Sequence, residues 1–219
     1  MGTLSIQGDS RNLAIGQERL PGDLVRPRNG KGLVIFAHGS GSSRLSPRNT
    51  HVARQLQEQG LGTLLFDLLT EHEAYHRRNV FDIPLLAGRM VEAVRFVQSD
   101  TKLSSLRIGL FGASTGAAAA LVAAAQLPQE VAAVVSRGGR PDLAGAAIKQ
   151  VRAATLLIVG GADYGVIELN RDAFDVLTCE KRLEIVPGAT HLFEEPGTLD
   201  KVVDLAAQWF KSHFEAGKI

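Results

Sequence analysis

Residues Gly112-Ala113-Ser114-Thr115-Gly116 constrain the fold more than any other stretch of the chain. The run Leu106–Phe111 (LRIGLF) leads into them, and an alanine-rich run from Ala117 to Gln126 leads out. The first reads as a buried strand and the second as a helix. Only a very tight turn remains between the two. A strand can hand over to a helix that abruptly only if the apex residue is held near left-handed backbone angles, with its side chain thrown outward. Residues two places on either side then face the adjoining strand and helix, where a Cβ would collide, and both are glycine. The chain is therefore built around an interior strand that passes into a buried helix, with Ser114 displayed at the junction.

Other apolar runs repeat this alternation. Gly32–Ala37, Thr63–Phe66, Val131–Val135, Thr155–Val159 and Arg182–Val186 read as strands. Between and after them, Asn49–Gln59, Pro84–Gln98, Val166–Leu177 and Leu199–Phe214 carry apolar residues at helical spacing, for example Val52, Ala53 and Leu56 ahead of the stop at Gly60. Two earlier strands are expected at Thr3–Gln7 and Glu18–Val25, the second broken or bulged by Pro21-Gly22-Asp23. A loop, RGGRPDLAG, and a short helix follow Val131–Val135, and Thr70–Asn79 reads as a polar, solvated connection. Repeated βα units of this length predict a mostly parallel sheet of about eight strands with helices on both faces. With 219 residues, no internal repeat and no long linker, residues 1–219 are expected to form one domain.

Composition removes several classes of function. A net charge of +1 gives no reason to expect nucleic acid or an anionic membrane as partner. The lone cysteine, Cys179, cannot form an internal disulfide, and MGTLSIQGDSR lacks the pattern of a secretory signal. The longest apolar stretch, Ala117–Ala125, is too short to span a bilayer. A cytoplasmic location is expected. Whether the chain is a monomer or a homodimer stays open.

The carboxyl ends of parallel strands are where such sheets place their ligands, and here they carry reactive side chains. Ser114 is a candidate nucleophile. Thr155–Val159 ends in Gly160-Gly161-Ala162-Asp163, and Arg182–Val186 ends in Pro187-Gly188-Ala189-Thr190-His191. His191 would act as general base toward Ser114 and then as general acid toward the leaving group, with Asp163 orienting the imidazole. Asp142, past the preceding strand, is the rival acid. Gly32–Ala37 ends in His38-Gly39-Ser40-Gly41, a turn able to aim a backbone N–H at a developing oxyanion. Ser40 and Thr115 are the expected donors. Arg137 and Arg140 lie beyond another strand end and are candidates for contact with an anionic substrate group.

A second motif competes. His72-Glu73-Ala74-Tyr75-His76 fits the H-E-x-x-H pattern of zinc peptidases. Such a site needs both histidines one turn apart on an ordered helix, plus a third ligand. The segment is highly charged and has no apolar flanks to bury a helix, and His38 and His51 are not spaced to complete it. No metal and no cofactor are expected.

Taken together, FAHGSGSSRLSPRN, LLFDLLT, GLFGASTGAAAAL, SRGGRPDLA, LLIVGGAD and VPGATHLFEEPG resemble the dienelactone hydrolase-like group of the α/β-hydrolases over nearly the whole length. The resemblance implies a compact hydrolase without a large cap domain, with Ser114, Asp163 and His191 at the triad positions. Authentic dienelactone hydrolases carry a cysteine nucleophile where this chain has Ser114. Serine is the less acidic nucleophile and depends more on its base. The expected activity is hydrolysis of a small-molecule carboxylic ester with a small or medium acyl chain, through an acyl-Ser114 intermediate. Thioesters, lactones or a dienelactone-type substrate are alternatives on the same residues. A zinc peptidase using His72, Glu73 and His76, or a non-catalytic binding protein on a hydrolase fold, are the alternatives of another class.

Overall fold

Each helix that follows a strand carries the chain back to the same end of the sheet, so successive strands pair in parallel. The computed structural model describes residues 8–27 and 29–215. Its strands are β1 (Gly8–Ile15), β2 (Leu20–Pro27), β3 (Gly32–Ala37), β4 (Gly62–Phe66), β5 (Arg107–Ala113), β6 (Val131–Arg137), β7 (Ala154–Gly160) and β8 (Lys181–Val186). All eight join one sheet in the order β1-β2-β4-β3-β5-β6-β7-β8. Strands β3 to β8 run parallel, and β1 and β2 are antiparallel additions at one edge. This is the α/β-hydrolase arrangement.

The helices are α1 (Pro47–Glu58), α2 (Glu71–Ala74), α3 (Arg77–Val80), α4 (Ile83–Ser99), α5 (Thr115–Gln126), α6 (Tyr164–Val176) and α7 (Thr198–Glu215), with a 3₁₀ segment at Pro141–Gln150. One core forms where α4, α5 and α6 cover the sheet, around residues such as Leu86, Met90, Val94, Leu121 and Leu157. The other forms beneath α1 and α7, around Val52, Leu56, Phe111, Ile158 and Phe210. Strands β3, β4 and β7 are buried at every residue, which is why they read as continuous apolar runs. On α4 the buried stripe runs through Ile83, Leu86, Met90 and Val94, so Leu86 rather than Leu85 faces the core.

Three expectations need correction or qualification. The strand expected at Thr3–Gln7 lies outside the described residues, and β1 was not foreseen because its sequence, GDSRNLAI, is polar and mostly solvent-facing. Strand β2 is not broken at Pro21. The Pro21 carbonyl accepts a hydrogen bond from the Asp67 N–H (3.1 Å), and the β2–β4 ladder begins at the next residue, Gly22 opposite Phe66. The donor that proline lacks therefore falls at the ladder's end, where none is needed. The segment after Thr70 is exposed, as expected, but folds into α2 and α3. Thr70 and Glu73 form a reciprocal capping box that starts α2.

Strand β5, which delivers Ser114, is fixed from behind by α7. Gly109 leaves room for that contact: a Cβ there would lie 2.6 Å from a ring carbon of Phe210 and 2.9 Å from one of Phe214. Both rings are buried. Gly109→Val is expected to destabilise the fold by about 1–3 kcal/mol through overpacking, read as a fall of several degrees in melting temperature.

Candidate active site

Ser114 sits at φ 51°, ψ −121°, one of three non-glycine residues with positive φ among those described. This costs energy for a residue with a Cβ, and the surroundings impose it. The Ser114 N–H donates to the Arg137 carbonyl (3.3 Å), and its own carbonyl accepts from the N–H groups of Ala117 and Arg140 (both 3.1 Å). The flanking glycines are dictated by contact. A Cβ on Gly116 would lie 2.2 Å from the Ala37 carbonyl oxygen, and one on Gly112 would lie 2.4 Å from the Ala117 Cα. Strand β3 and helix α5 thus press together at the serine, and only small residues fit between them.

His191 and Asp163 reach the same place from two other strand ends. Asp163 occupies the cap position of α6 but makes no capping bond. Its carboxylate instead takes the His191 Nδ1 at 2.7 Å. The His191 loop is held in three ways. Thr190 donates to Glu195 through its N–H (3.1 Å) and its hydroxyl (2.6 Å), Phe193 is buried at φ 57°, and Gly160 lets the chain pass against the Ala189 and Thr190 carbonyls. Ser114, His191, Ser40, Arg48, Asn49 and Arg137 all line one cavity of about 200 Å³. Asp142 lies elsewhere: Arg140 grips it in a bidentate pair (2.9 and 2.8 Å).

The N–H of Thr115, first residue of α5, has no partner within the helix. Among the described residues the Ser40 N–H has no hydrogen-bond partner either. Gly39 brings its turn against the elbow: a Cβ there would stand 3.1 Å from the Ser114 Cβ. The turn is pinned by His38, a role that nothing in its sequence neighbourhood signals. Its Nε2 accepts from the Leu68 N–H (3.1 Å), so its Nδ1 carries the proton and donates to the Gly39 carbonyl (3.0 Å). Arg44 ties the far side of the turn to Asp67 through two bonds of 2.7 and 2.6 Å.

The two arginines part company. Arg140 is spent on Asp142 and does not line the cavity. Arg137 does, and it is only 6% exposed. Among the described residues no carboxylate pairs with it, and its Nε is buried without a partner. Burial, followed by the repulsion of Arg48, lowers its pKa to about 10, which leaves it charged at neutral pH. Its guanidinium carbon lies 5.9 Å from the centre of the Phe193 ring.

The His72–His76 segment does not have the form of a zinc helix. His72 lies on α2, while His76 lies past its end as the cap of α3, and the two rings meet edge to face. Glu73 is committed to the Thr70 N–H (2.9 Å) and to Arg89 (2.8 Å). Among the described residues no group of three or more potential metal ligands occurs, and no helix is long and apolar enough to cross a membrane.

Comparison with known proteins agrees with this geometry at the level of family. The model of the dienelactone hydrolase family matches residues 21–214. A crystal structure of a dienelactone hydrolase from Anabaena variabilis superposes with a TM-score of 0.91 at 52% identity, covering 94% of this chain and 99% of that one. Est1E from Butyrivibrio proteoclasticus (TM-score 0.77, 16% identity, 95% of this chain and 99% of that one) shares the fold. So does an α/β serine hydrolase without lid from Xanthomonas campestris (TM-score 0.73, 18% identity, 97% of each chain). Among curated proteins, the chain is 52% identical over 208 residues to a Mycobacterium tuberculosis protein named "Putative phosphoribosyl transferase". The match takes in 95% of this chain and 47% of that protein, so the chain spans about half the length of the curated relatives it matches.

His38 links the site to stability. Burial lowers its pKa below the ordinary 6.5 and outweighs the Gly39 carbonyl and the Asp67 carboxylate, which act to raise it. Above pH 6.5 the histidine is neutral both folded and unfolded, and its contribution is fully present. As the pH falls below 6.5 the unfolded chain binds the proton first, so stability is lost as pH drops toward the lowered folded value. Urea midpoints measured between pH 7 and pH 5 should therefore fall more steeply for the native sequence than for His38→Gln, whose amide oxygen can still accept from Leu68.

Proposed function

The chain belongs to the dienelactone hydrolase family, and we propose that it is a serine hydrolase of carboxylic esters with small or medium acyl chains, working through an acyl-Ser114 intermediate. The observation that carries this reading is the convergence of a strained, outward-facing Ser114 with a His191 already oriented by Asp163 at 2.7 Å. A catalytic assembly needs its base fixed in one tautomer before substrate arrives, and the Asp163 contact does this.

In the reaction, the Ser114 Oγ attacks the acyl carbon while His191 takes its proton. The carbonyl oxygen gains the negative charge and is met by the Ser40 and Thr115 N–H groups. When the carbon–oxygen bond of the ester breaks, the leaving oxygen receives the proton from His191. Water then repeats the sequence on the acyl-enzyme, and His191 again serves first as base and then as acid. Thioesters and lactones present the same acyl carbon and fall within the same chemistry. The zinc-peptidase alternative would use Glu73 as its base, and that carboxylate is already held by Thr70 and Arg89. The mycobacterial relatives' name speaks of a transferase, but the match covers 47% of those proteins, whereas a 52% identical dienelactone hydrolase is covered almost end to end, and the hydrolase reading follows the latter.

Ser114→Ala should lower kcat on p-nitrophenyl esters by about 10⁴–10⁶-fold, and Asp163→Asn by about 10⁴-fold, each with an unchanged melting curve. Asp142→Asn should leave turnover within a few-fold of normal. After exposure to a slowly deacylating ester, mass spectrometry should find the acyl group on Ser114. An active preparation whose Ser114 stays unmodified, or a Ser114→Ala variant with more than a few per cent of normal turnover, overturns the assignment.

A further inference from the structure

A chamber of about 400 Å³ lies across the Gly39–Ser42 turn from the cavity that holds Ser114 and His191. Ser40 borders both spaces, Thr115 borders the chamber and not the cavity, and His191 borders the cavity and not the chamber. On the acyl-Ser114 reading this division sorts the two halves of an ester. The leaving oxygen must lie within reach of His191, so it faces the cavity. The acyl chain departs from the other side of a carbonyl seated on the Ser40 and Thr115 N–H groups, and enters the chamber. The lining suits an apolar chain. Leu68, Leu69, Ala74, Val80 and Leu86 contribute to it, and its one cation, Arg44, is already paired with Asp67 and Asp23.

One wall of the chamber differs from the rest. Leu68 and Leu86 belong to the core, but Glu71, Ala74 and Val80 come from the α2–α3 segment, and no residue from Thr70 through Asp82 is buried. The two aromatic side chains of this segment, Tyr75 and Phe81, are 85% and 48% exposed, so they do not anchor it. Its ends are fixed. Just before it the Leu68 N–H donates to His38 (3.1 Å), and at its far end Asp82 accepts from the Leu85 N–H (3.0 Å) and caps α4. Among the described residues, a single side-chain bond ties residues 71–81 to another element: Arg89 of α4 donates to Glu73 Oε1 (2.8 Å). The other carboxylate oxygen of Glu73 accepts from the Thr70 N–H (2.9 Å). Arg89 itself is buried on a helix that packs into the core, so the tie has a rigid anchor. A segment that buries this little apolar surface opens at low free-energy cost unless such a tie holds it. The glutamate of the H-E-x-x-H run therefore acts as a latch.

We propose that the α2–α3 segment is the length-determining wall of an acyl-binding chamber and is held in place by the Glu73–Arg89 pair, so that apolar acyl chains are accepted up to a limit set at Val80. Arg89 does not line the chamber and is a positioning residue, acting through Glu73. The inference rests on the acyl-Ser114 reading and adds to it which part of the molecule measures the acyl chain.

The test measures kcat/KM for p-nitrophenyl esters with straight acyl chains from acetyl to dodecanoyl, and for acetate esters of straight-chain alcohols from ethanol to octanol. In the native chain each methylene added within the chamber should raise kcat/KM by up to about 4-fold, and acyl chains past the limit should lose about 10-fold or more. The alcohol series should show neither the rise nor the limit. Arg89→Met should move the limit to longer acyl chains and raise the dodecanoyl-to-hexanoyl ratio by about 10-fold, and Arg89→Lys should bring the ratio part of the way back. Val80→Phe, on the wall itself, should move the limit to shorter chains. It decides the matter should Arg89→Met, which also takes from Glu92 its neighbour at 3.6 Å, fail to fold. An unchanged profile in Arg89→Met, or a loss equal at every chain length such as a merely structural arginine would give, overturns this inference alone while acyl-Ser114 is still trapped. So does a flat acyl-length profile in the native chain, a limit that follows the alcohol instead of the acyl group, or a Val80→Phe profile like the native one. No turnover of any ester and no Ser114 adduct overturn both readings.

Discussion

The approach of helix α5 to strand β3 at Gly116 is the constraint on which the rest of the site depends. Two carbonyl oxygens of β3 and its following turn, those of Ala37 and His38, stand where a side chain on Gly116 would be. Because the helix comes this close, the chain between β5 and α5 has no room for an ordinary turn, and Ser114 is driven to positive φ. The same closeness sets the Gly39 turn beside the serine. Strain at the serine is thus the local consequence of tight packing over the whole centre of the sheet. The alanines of α5 belong to the same constraint. Ala117 to Ala120 are fully buried, and a larger side chain at any of them would lift the helix away.

Around this point, rigidity is supplied by polar contacts made outside the reacting groups. Asp163 holds the His191 imidazole, Glu195 holds the loop that carries it, His38 holds the Gly39 turn, and Arg44 with Asp67 holds that turn's far side. Apart from the exposed Glu195 contact, these bonds lie in partly covered positions, where they hold geometry more than they add stability. Arg137 stands out because it lacks such a partner among the described residues. Its charge is kept in a covered place by sheet register: Arg137 lies opposite Ala113 on β5, next to the serine.

Much of this was legible in the sequence, for physical reasons. Central strands of a parallel sheet are buried on both faces, so β3, β4 and β7 announce themselves as apolar runs. Ser114, Asp163 and His191 sit just past strand ends, with glycines within two or three residues, where spacing alone marks them. The edge strand β1 gave no such signal, since one of its edges and most of its side chains meet solvent. The capping box at Thr70 and Glu73 is written in the sequence, but the run of charges around it reads as a loop until Arg89 on α4 is known to lie alongside. The difference between Arg137 and Arg140 was invisible. Both belong to one short run, SRGGRPD, and only tertiary structure shows that Arg137 ends strand β6 beside the Phe193 ring while Asp142 occupies Arg140. His38 is a similar case, because its partner Leu68 comes from a different strand end.

The outer strands of the sheet carry a consequence for behaviour in crowded solution. Strand β8 begins Lys181-Arg182 and places Glu184 beyond, with Arg182 and Glu184 paired along the strand, while β1 displays Asp9 and Arg11. An open sheet edge is a template on which another chain can hydrogen-bond, and long charged side chains along it raise the cost of that addition. Both margins of this sheet are defended in that way. Growth of the sheet from copy to copy, a path from a folded protein to an insoluble one, is therefore made costlier at both margins of the described sheet.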